Sequence, residues 1–277
     1  MGWVLPSRVY AQGGVGKKKE GWPRMEMSIP PYGLARVRGL IEDEDLRVGR
    51  ENEEKRKERL KVKHAKAEKS GSGQVASKDE EDDEEDWFEM AKPNRLPDPI
   101  YASLGLRERF TYAMMYPESY SQVCAVFSFG TGQLTKIYLK LPLYFKGNVY
   151  WSRRQRDVFR QNRDSVMAWM REGIALTGRV GLNYKQAIVE VREYELIPVV
   201  IKAYERVGDP AQRDHDILTL LMALMSAAEY APFISSAVYK AFDAADGRIW
   251  MKAIEFTTAR EAAIKELAMH YYKTRNK

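Results

Sequence analysis

The residues with the clearest chemical potential in this chain are five closely spaced arginines. They are Arg153, Arg156, Arg160, Arg163 and Arg171. Helical residues three and four positions apart share a face, so this spacing predicts a helix from Ser152 to about Arg171 with an arginine stripe along one side. Guanidinium groups make planar, bidentate contacts with phosphate or carboxylate. A stripe this dense repels itself unless an anion lies nearby, so the pattern predicts an anionic partner.

Other basic and aromatic residues are expected to extend this site. They are Lys136, Lys140 and Lys146 on a predicted hairpin before the helix, Tyr150 and Trp151 at its start, and Lys17, Lys18 and Lys19 near the N-terminus. Basic side chains interleaved with aromatic ones are typical of single-stranded nucleic-acid binding. The alternative interpretation is a solvated helix face whose arginines pair with carboxylates from elsewhere in the chain, an arrangement that is common and weak.

The glycine-rich run that ends at Lys17 does not make a phosphate-binding loop. That motif needs a glycine five positions before its Gly-Lys pair and a serine or threonine directly after it. Ala11 and Lys18 occupy those two positions. The run is therefore predicted to be part of a flexible arm.

No other spacing in the chain specifies a catalytic or metal site. The three histidines, His64, His215 and His270, form neither a His-x-x-x-His pair nor a cluster with cysteine. Residues 213–216 read Arg-Asp-His-Asp, but in the first turn of a predicted helix acids complement the helix dipole. We therefore expect no metal, no cofactor and no enzymatic activity, with a site assembled from distant carboxylates as the remaining enzyme alternative.

Charge is distributed unevenly and divides the chain into segments. Residues 1–41 carry seven basic and two acidic side chains, whereas residues 42–86 carry eleven and seventeen. We predict a basic Gly/Pro-rich arm over 1–41, a solvated charged helix over 42–69 and a linker over 70–99 that contains acids, then prolines. A disordered N-terminal third thus precedes one folded domain over 100–277. The acidic-aromatic stretch 79–90 is expected to be able to engage an acidic or basic protein.

The folded part is predicted to be α+β and predominantly α. A small antiparallel β-meander (121–129, 133–145 and 149–151) precedes the arginine helix. A C-terminal helical bundle follows, with helices from Asp209 to about Tyr230, from Pro232 to Ala245 and from Ile249 to about Lys273. Residues 186–197 are compatible with either strand or helix. The apolar C-terminal helices also suggest self-association.

The single cysteine, Cys124, excludes an intrachain disulfide. The sequence has no secretion signal, and its longest apolar run is too short to span a bilayer. We therefore expect a soluble intracellular protein, nuclear or cytoplasmic or a virion component, that is not secreted.

The order of basic arm, charged helix, acidic linker and basic domain is similar to the layout of many virion structural proteins and ribonucleoprotein assembly factors. The leading functional hypothesis is a non-enzymatic structural or assembly protein whose basic face binds nucleic acid, RNA or DNA, or an anionic membrane surface. A protein–protein adaptor within a larger complex is the alternative. Matrix-type and nucleocapsid-type roles are equally compatible with the sequence.

Overall fold

The computed structural model describes residues 27–70, 95–120, 135–141, 149–245 and 252–276. These residues form two compact units. Unit 1 contains the described residues of 32–70, 95–120 and 149–152. Unit 2 contains 27–31, 135–141, 153–245 and 252–276. The predicted domain over 100–277 therefore contributes residues to both units.

Helices account for most of the described residues, and the strands are short. The helices are α1 (Leu34–Ser70), α2 (Asp98–Ser103), α3 (Leu106–Met115), α4 (Arg153–Gln161), α5 (Arg163–Thr177), α6 (Leu182–Glu190), α7 (Ile197–Glu205), α8 (Asp216–Ala227), α9 (Ala231–Ile234), α10 (Ala237–Asp243) and α11 (Thr258–Arg275). Single 3-10 turns occupy Tyr194–Leu196 and Pro210–Gln212. The strands are β1 (Ser119–Tyr120), β2 (Lys136–Tyr138), β3 (Val149–Tyr150) and β4 (Ala253–Glu255). This composition confirms the predicted α+β, predominantly α class.

In unit 1, the first half of α1 packs on α3. Val37 is fully buried, and the Arg36 guanidinium lies 2.7 Å from the Glu108 carboxylate of α3. Gly33, with a φ of 64°, supplies the left-handed turn before the helix. The predicted arm over 1–41 is wrong at its C-terminal end, because residues 34–41 are the first two turns of α1. Burial of Val37 explains the difference, since a packed turn is no longer a flexible arm.

Trp151 lies in the core of unit 1. Its side chain is 5% exposed, and its indole Nε1 donates a hydrogen bond of 2.8 Å to the carbonyl oxygen of Ala113 in α3. Phe110 and Tyr112 on the same helix are also fully buried. The prediction that Trp151 stacks on a ligand is wrong, because both its ring and its polar atom are already used inside the protein. Its neighbour Tyr150 is 41% exposed.

Unit 2 is built around α8, which is buried along almost its whole length. All seven residues from Asp216 to Met222 are buried, as are Leu224 and Met225, and only Ala223 between them is half-buried. α8 packs against α6, α7, α11 and β2. The opposing side chains on α11 recur at helical spacing, with Ile264 and Ala268 fully buried. The premise for self-association is therefore wrong for α8, whose apolar side chains are consumed by the core.

The described strands pair differently from the predicted meander. β2 pairs with β4 near the C-terminus, and β3 pairs with β1, both antiparallel. In β2 the side chains alternate as predicted, with Ile137 fully buried between two half-buried residues. The Thr219 hydroxyl of α8 donates a hydrogen bond of 2.7 Å to the Tyr138 carbonyl, which holds this strand on the core. The predicted strand over 121–129 lies outside the described residues.

Residues 27–31, predicted to belong to the basic arm, are anchored in unit 2. The backbone N–H and carbonyl of Ser28 bond to the side-chain amide of Asn183, at 2.9 and 2.7 Å. The Ser28 hydroxyl accepts a bond of 2.8 Å from the N–H of Gly181. A side chain at Gly181 would collide with this segment, because a Cβ there would lie 2.1 Å from the Ser28 nitrogen. The buried side-chain amide of Asn183 thus satisfies the backbone N–H and carbonyl of Ser28, as a neighbouring strand would.

Three C-terminal boundaries also differ from the prediction. Asp209 and Pro210 precede a 3-10 turn, and the long helix begins only at Asp216. The predicted helix over 232–245 is divided into α9 and α10, where Ser236 caps the second by accepting a bond from the Tyr239 N–H. The last helix begins at Thr258 because residues 253–255 form β4 and Thr257 caps α11.

The undecided segment 186–197 is helical in its first half. α6 ends at Glu190, and Arg192 adopts a left-handed conformation with a φ of 53°. The N–H of Glu193 then reaches the Ile188 carbonyl at 2.9 Å and the N–H of Arg192 reaches the Val189 carbonyl at 3.1 Å. These are the two bonds of a Schellman motif. They reverse the chain into the 3-10 turn at Tyr194.

None of the helices that the structure describes is long and apolar enough to cross a membrane.

The burial of Trp151 makes a stability prediction with a neighbouring control. Trp151→Ala should lower the free energy of unfolding of unit 1 by about 3–5 kcal/mol, the usual effect of emptying a large core site. Trp151→Phe should lower it by about 1–3 kcal/mol, because one six-membered ring is kept while part of the indole and its hydrogen bond are lost. Tyr150→Ala, at an exposed position, should change it by no more than about 0.5 kcal/mol. Urea titrations followed by circular dichroism measure all three. Equal effects at positions 150 and 151 would contradict the assignment of Trp151 to the core.

Candidate anion-binding surface

Three of the five predicted arginines share one face of α4. Arg153, Arg156 and Arg160 are separated by three and four positions, so they follow one side of the helix. The side chains of Arg153 and Arg160 are 94% and 60% exposed. We call these three residues the arginine ridge. The opposite side of α4 carries Val158 and Phe159, both buried in the core of unit 2.

The predicted continuous helix from Ser152 to Arg171 is wrong, because the chain breaks at Asn162. This residue leaves the helical conformation, with a φ of −124° and a ψ of 38°. Its side-chain Nδ2 donates to the Val158 carbonyl at 3.0 Å, and the same oxygen accepts from the Asn162 backbone N–H at 3.2 Å. Arg163 then begins a second helix, α5. The five arginines therefore do not form one stripe, and Arg171 lies two turns along α5.

Two carboxylates from the end of α6 meet the arginines. Glu190 Oε1 lies 2.7 Å from Arg160 Nη2, and Glu193 Oε2 lies 3.1 Å from Arg163 Nε. The two pairs differ in burial, since the Glu193 side chain is only 1% exposed whereas that of Glu190 is 23% exposed. Part of the anionic partner that the sequence predicts is thus supplied by the protein's own carboxylates. The ambiguous pattern of residues 186–197 is the reason that neither carboxylate was identified from sequence.

Glu193 is held in an environment that disfavours its charged form. Burial raises the pKa of its carboxyl above the ordinary value, while the nearby Arg163 guanidinium and the bond from the Glu195 N–H work in the opposite direction. The Arg163–Glu193 pair is therefore mainly structural, because it compensates a carboxylate that the fold removes from water. Arg163 is accordingly not part of the ridge.

The remaining arginines have more distant carboxylate partners than Arg160 and Arg163, or none within the described ranges. Arg153 Nε is 3.9 Å from the Asp157 carboxylate, at the limit of an ion pair between two exposed groups. Arg156 and Arg171 form no ion pair with any carboxylate of the described ranges. A helix with 1.5 Å rise per residue carries the ridge over about 10 Å from its first to its last arginine. The ridge is therefore a short, rigid, solvent-facing row of guanidinium groups.

The other predicted site residues lie on other elements of unit 2, in unit 1 or outside the described residues. Lys136 lies opposite Glu255 in the β2–β4 pair, with 3.7 Å between Nζ and Oε1, and Lys140 is exposed just beyond that strand. Tyr150 and Trp151 belong to unit 1. Lys17, Lys18, Lys19 and Lys146 lie outside the described residues, as does the acidic-aromatic stretch 79–90.

A second charged cluster, which the sequence did not reveal, is closed inside unit 2. The ammonium of Lys185 is fully buried, 2.5 Å from Asp214 Oδ2 and 3.8 Å from Asp216 Oδ2. Asp214 also accepts a hydrogen bond of 3.2 Å from the Asp216 N–H at the start of α8. These acids thus have two roles. They lie at a helix N-terminus, as predicted, and they also compensate the charge of a buried lysine. The position of Lys185 beside the apolar residues of α6 was the one available sign of its burial.

The same region continues into α11 and α7 through a chain of ion pairs. Arg213 Nη1 lies 2.6 Å from Glu261 Oε1, and Lys265 Nζ lies 3.0 Å from Glu261 Oε1 and 2.7 Å from Glu205 Oε1. His215 between the two aspartates is buried, stacked on Phe256 at a centroid distance of 3.9 Å. Every charged group in this series of ion pairs faces an opposite charge, which suits a structural role rather than a reactive one.

Two pockets in the described part of the chain have no acid in their walls. One pocket of about 210 Å³ is lined by Arg192, Tyr194, Leu224, Ala227, Ala228, Tyr271 and Arg275. Another of about 190 Å³ is lined by Ser28, Ile29, Pro31, Gly173, Leu176, Thr177 and Tyr184. Neither wall contains a carboxylate, and within the described ranges no three His, Cys, Asp or Glu side chains form a metal-binding group.

The chain matches no protein-family model, no curated protein and no solved structure.

The raised pKa of Glu193 predicts a pH-dependent effect of Glu193→Gln. Above the unfolded-state pKa the unfolded chain has lost the proton that the folded chain still holds, so the wild type loses stability as pH rises through this window. Glutamine keeps the acceptor for the Glu195 N–H but has no charge to bury. The variant should therefore gain free energy of unfolding relative to wild type as the pH rises above the unfolded-state pKa of glutamate, about 4.3.

Urea titrations at several pH values measure this difference. Glu266→Gln, at an exposed position of α11, is the matched control for the loss of one negative charge. A difference between Glu193→Gln and wild type that stays constant with pH would show that Glu193 is ionised in the folded protein without penalty.

The buried lysine predicts a large, repairable loss of stability. Lys185→Met should lower the free energy of unfolding by about 3–5 kcal/mol, because Asp214 and Asp216 are left without their counter-charge. Combining it with Asp214→Asn and Asp216→Asn should restore a substantial part of this loss. Urea titration compares the single and triple variants. A triple variant less stable than the single one would show that the aspartates do not act as partners of Lys185.

Proposed function

We propose that this protein is a non-enzymatic structural or assembly protein that binds the backbone of nucleic acid through the arginine ridge. The observation that carries the proposal is the row of exposed Arg153, half-buried Arg156 and exposed Arg160 along one side of a helix whose other side is packed in the core. A seated helix presents its guanidinium groups without a cost in backbone ordering when a ligand binds. Phosphates follow one another at about 3.4 Å per strand along a duplex axis, so a row of about 10 Å can meet several of them.

The burial of Trp151 changes the expected mode of binding. Recognition of single strands by stacking needs accessible aromatic rings beside the basic groups. Trp151 does not supply such a ring, because it is buried in unit 1 and its Nε1 is bonded to the Ala113 carbonyl. The proposal is therefore sequence-independent contact with phosphates, with a strong dependence on salt.

Membrane binding is the less favoured use of the same surface. A helix that lies in a bilayer interface buries its apolar face among the acyl chains. The apolar face of α4 is instead occupied, since Val158 is 7% exposed and Phe159 fully buried. Only electrostatic attraction would remain, at about 1 kcal/mol for each basic residue near an anionic leaflet. This argument favours nucleic acid as the anionic partner.

Arg153→Gln/Arg156→Gln tests the proposal. These two residues are chosen because Arg160 is already paired with Glu190, so its replacement would also disturb an internal contact. The variant should bind a single strand of about 20 nucleotides more weakly and lower the slope of log affinity against log salt by about 1.4, the value for two lost phosphate contacts. Fluorescence anisotropy at a series of salt concentrations measures both quantities.

Lys202→Gln/Lys240→Gln is the matched control, since both lysines are exposed in unit 2 and the loss of charge is the same. It should leave the salt slope unchanged. Three results contradict the proposal. One is an unchanged slope in the ridge variant. Another is lost binding to phosphatidylserine vesicles but not to the oligonucleotide, which would assign the ridge to a membrane surface. The third is lost capture of an acidic protein alone, which would favour the adaptor alternative.

A further inference from the structure

The larger of the two pockets lies where three helices of unit 2 end. α6 ends two residues before Arg192, α8 ends at Ala227 and α11 ends at Arg275, and these three residues line the pocket of about 210 Å³. We call it the helix-end pocket. The C-terminus of a helix carries a partial negative charge of about half an elementary charge. Three helix ends together therefore favour a positively charged group in this pocket.

Two residues of the pocket wall have backbone carbonyls that are available to a ligand. α8 ends in a Schellman motif, whose hydrogen bonds use the carbonyls of Met225 and Ser226. The next two carbonyls, those of Ala227 and Ala228, accept no hydrogen bond from the described residues. Both alanines line the pocket. Carbonyl oxygens at the end of a helix are suitable acceptors for an ammonium group, which has three donors and no acceptor.

The same pocket has two arginines in its wall, and both are available to an anion. Arg192 and Arg275 are exposed, and neither forms an ion pair with a carboxylate of the described ranges. Both complement the helix dipoles, an interaction that water and salt weaken at exposed positions. Arg192 also occupies the left-handed position of the α6 Schellman motif, where glycine is preferred and a residue with a Cβ is strained. A role for its side chain explains why arginine stands there.

The interior of the helix-end pocket is apolar and small. Leu224 and Tyr271 are 3% and 5% exposed, and the Tyr194 ring meets the Tyr271 ring edge-on with 6.0 Å between the centroids. A cavity of about 150 Å³ is enough for benzene, so this pocket admits one six-membered ring and leaves roughly the volume of two water molecules. Drug-sized ligands need about 300 Å³ or more. The pocket therefore fits a small molecule with one ring or one branched chain.

We propose that the helix-end pocket binds a free α-amino acid with an apolar side chain of the size of phenylalanine. Its carboxylate is held by Arg192 and Arg275, because guanidinium groups bind carboxylates in a bidentate manner. Its ammonium group donates to the carbonyls at the end of α8, and its side chain packs on Leu224 and Tyr271. A simple anion would meet the negative helix ends, and a simple cation would meet the arginines, whereas a zwitterion suits both. The inference goes beyond the proposed function and does not involve the arginine ridge.

A series of ligands tests each contact on the full chain. Isothermal titration calorimetry compares L-phenylalanine with N-acetyl-L-phenylalanine, which lacks the ammonium group, and with L-phenylalaninamide, which lacks the carboxylate. Each change should weaken binding at least about tenfold, the usual effect of losing a hydrogen-bonded charge. Equal binding of the N-acetyl compound would contradict the proposal and indicate the C-terminus of a peptide. Tighter binding of phenyl phosphate would contradict it too, as would no binding of phenylalanine or leucine at about 20 mM, well above the millimolar dissociation constant expected for ligands of this size.

Arg192→Gly separates ligand binding from a structural role of the arginine. The variant should bind phenylalanine at least about tenfold more weakly, yet its unfolding midpoint in urea should rise, because glycine suits the left-handed backbone. Glu229→Gly is the matched control. Glu229 has a φ of 49° at the corresponding position of α8 and does not line the pocket. This variant should also be more stable than wild type, but its affinity for phenylalanine should not change.

Three results of the variants would contradict the proposal. One is unchanged phenylalanine binding by Arg192→Gly. Another is an equal loss of binding in both glycine variants. The third is a lower unfolding midpoint for Arg192→Gly, which would show that the arginine stabilises the end of α6 instead. None of these variants alters the arginine ridge, and the ligand is not a nucleic acid, so failure here and failure of the proposed function are separate results.

Discussion

Removal of the Lys185 ammonium from water is the constraint on which the architecture of unit 2 depends. A fully buried charge is tolerated only when counter-charges with good geometry surround it. Asp214 and Asp216 meet this requirement only if the start of α8 lies directly against α6. The neighbouring Arg213 then reaches Glu261, and through it α11 is held to the same end of α8. The apolar side chains along α8 provide most of the driving force, but these ion pairs determine where along the helix its neighbours are placed.

The charge inventory of unit 2 shows two different uses of arginine and lysine. Lys185, Arg163 and Arg213 each face a buried carboxylate and belong to the fold. Arg153 is exposed and Arg156 is half-buried, and the two have at most one distant carboxylate between them. Only the second kind is available to a ligand. Net charge does not distinguish the two kinds, because each adds one positive charge to the total.

Patterns of local periodicity were enough to predict the fold class, the buried α8 and the exposed arginines of α4. The pairing of β2 with β4 could not be predicted, because the two strands lie more than a hundred residues apart in the sequence. The sequence of a short strand does not indicate which strand it will pair with. The break at Asn162 comes with a bond from its side chain to the Val158 carbonyl, and hydrophobic periodicity does not register a contact of this kind. The burial of Trp151 was missed because a tryptophan beside arginines has the same local pattern whether it stacks on a base or enters a core.

The internal partners of the arginine stripe were missed for a related reason. Glu190 and Glu193 flank the left-handed Arg192, in a stretch compatible with either strand or helix. Until the Schellman motif fixes the direction of the chain there, the carboxylates have no defined position. The candidate site was thus predictable in its residue types and in one helix face. The pairing of its arginines with Glu190 and Glu193 was not predictable, since that pairing depends on tertiary contacts.

The contrast between the two halves of α1 has a consequence for how its sequence can drift over evolutionary time. Positions such as Val37 and Glu44 are constrained by shape, because each occupies a filled site. Every side chain from position 55 to position 62 is exposed, so none fills a site in a core. Lysine and arginine can exchange there freely, and a charge can move to an adjacent position, provided that helix propensity and the number of charges are kept. Over this stretch, relatives that have diverged at most positions would still keep the same physical character.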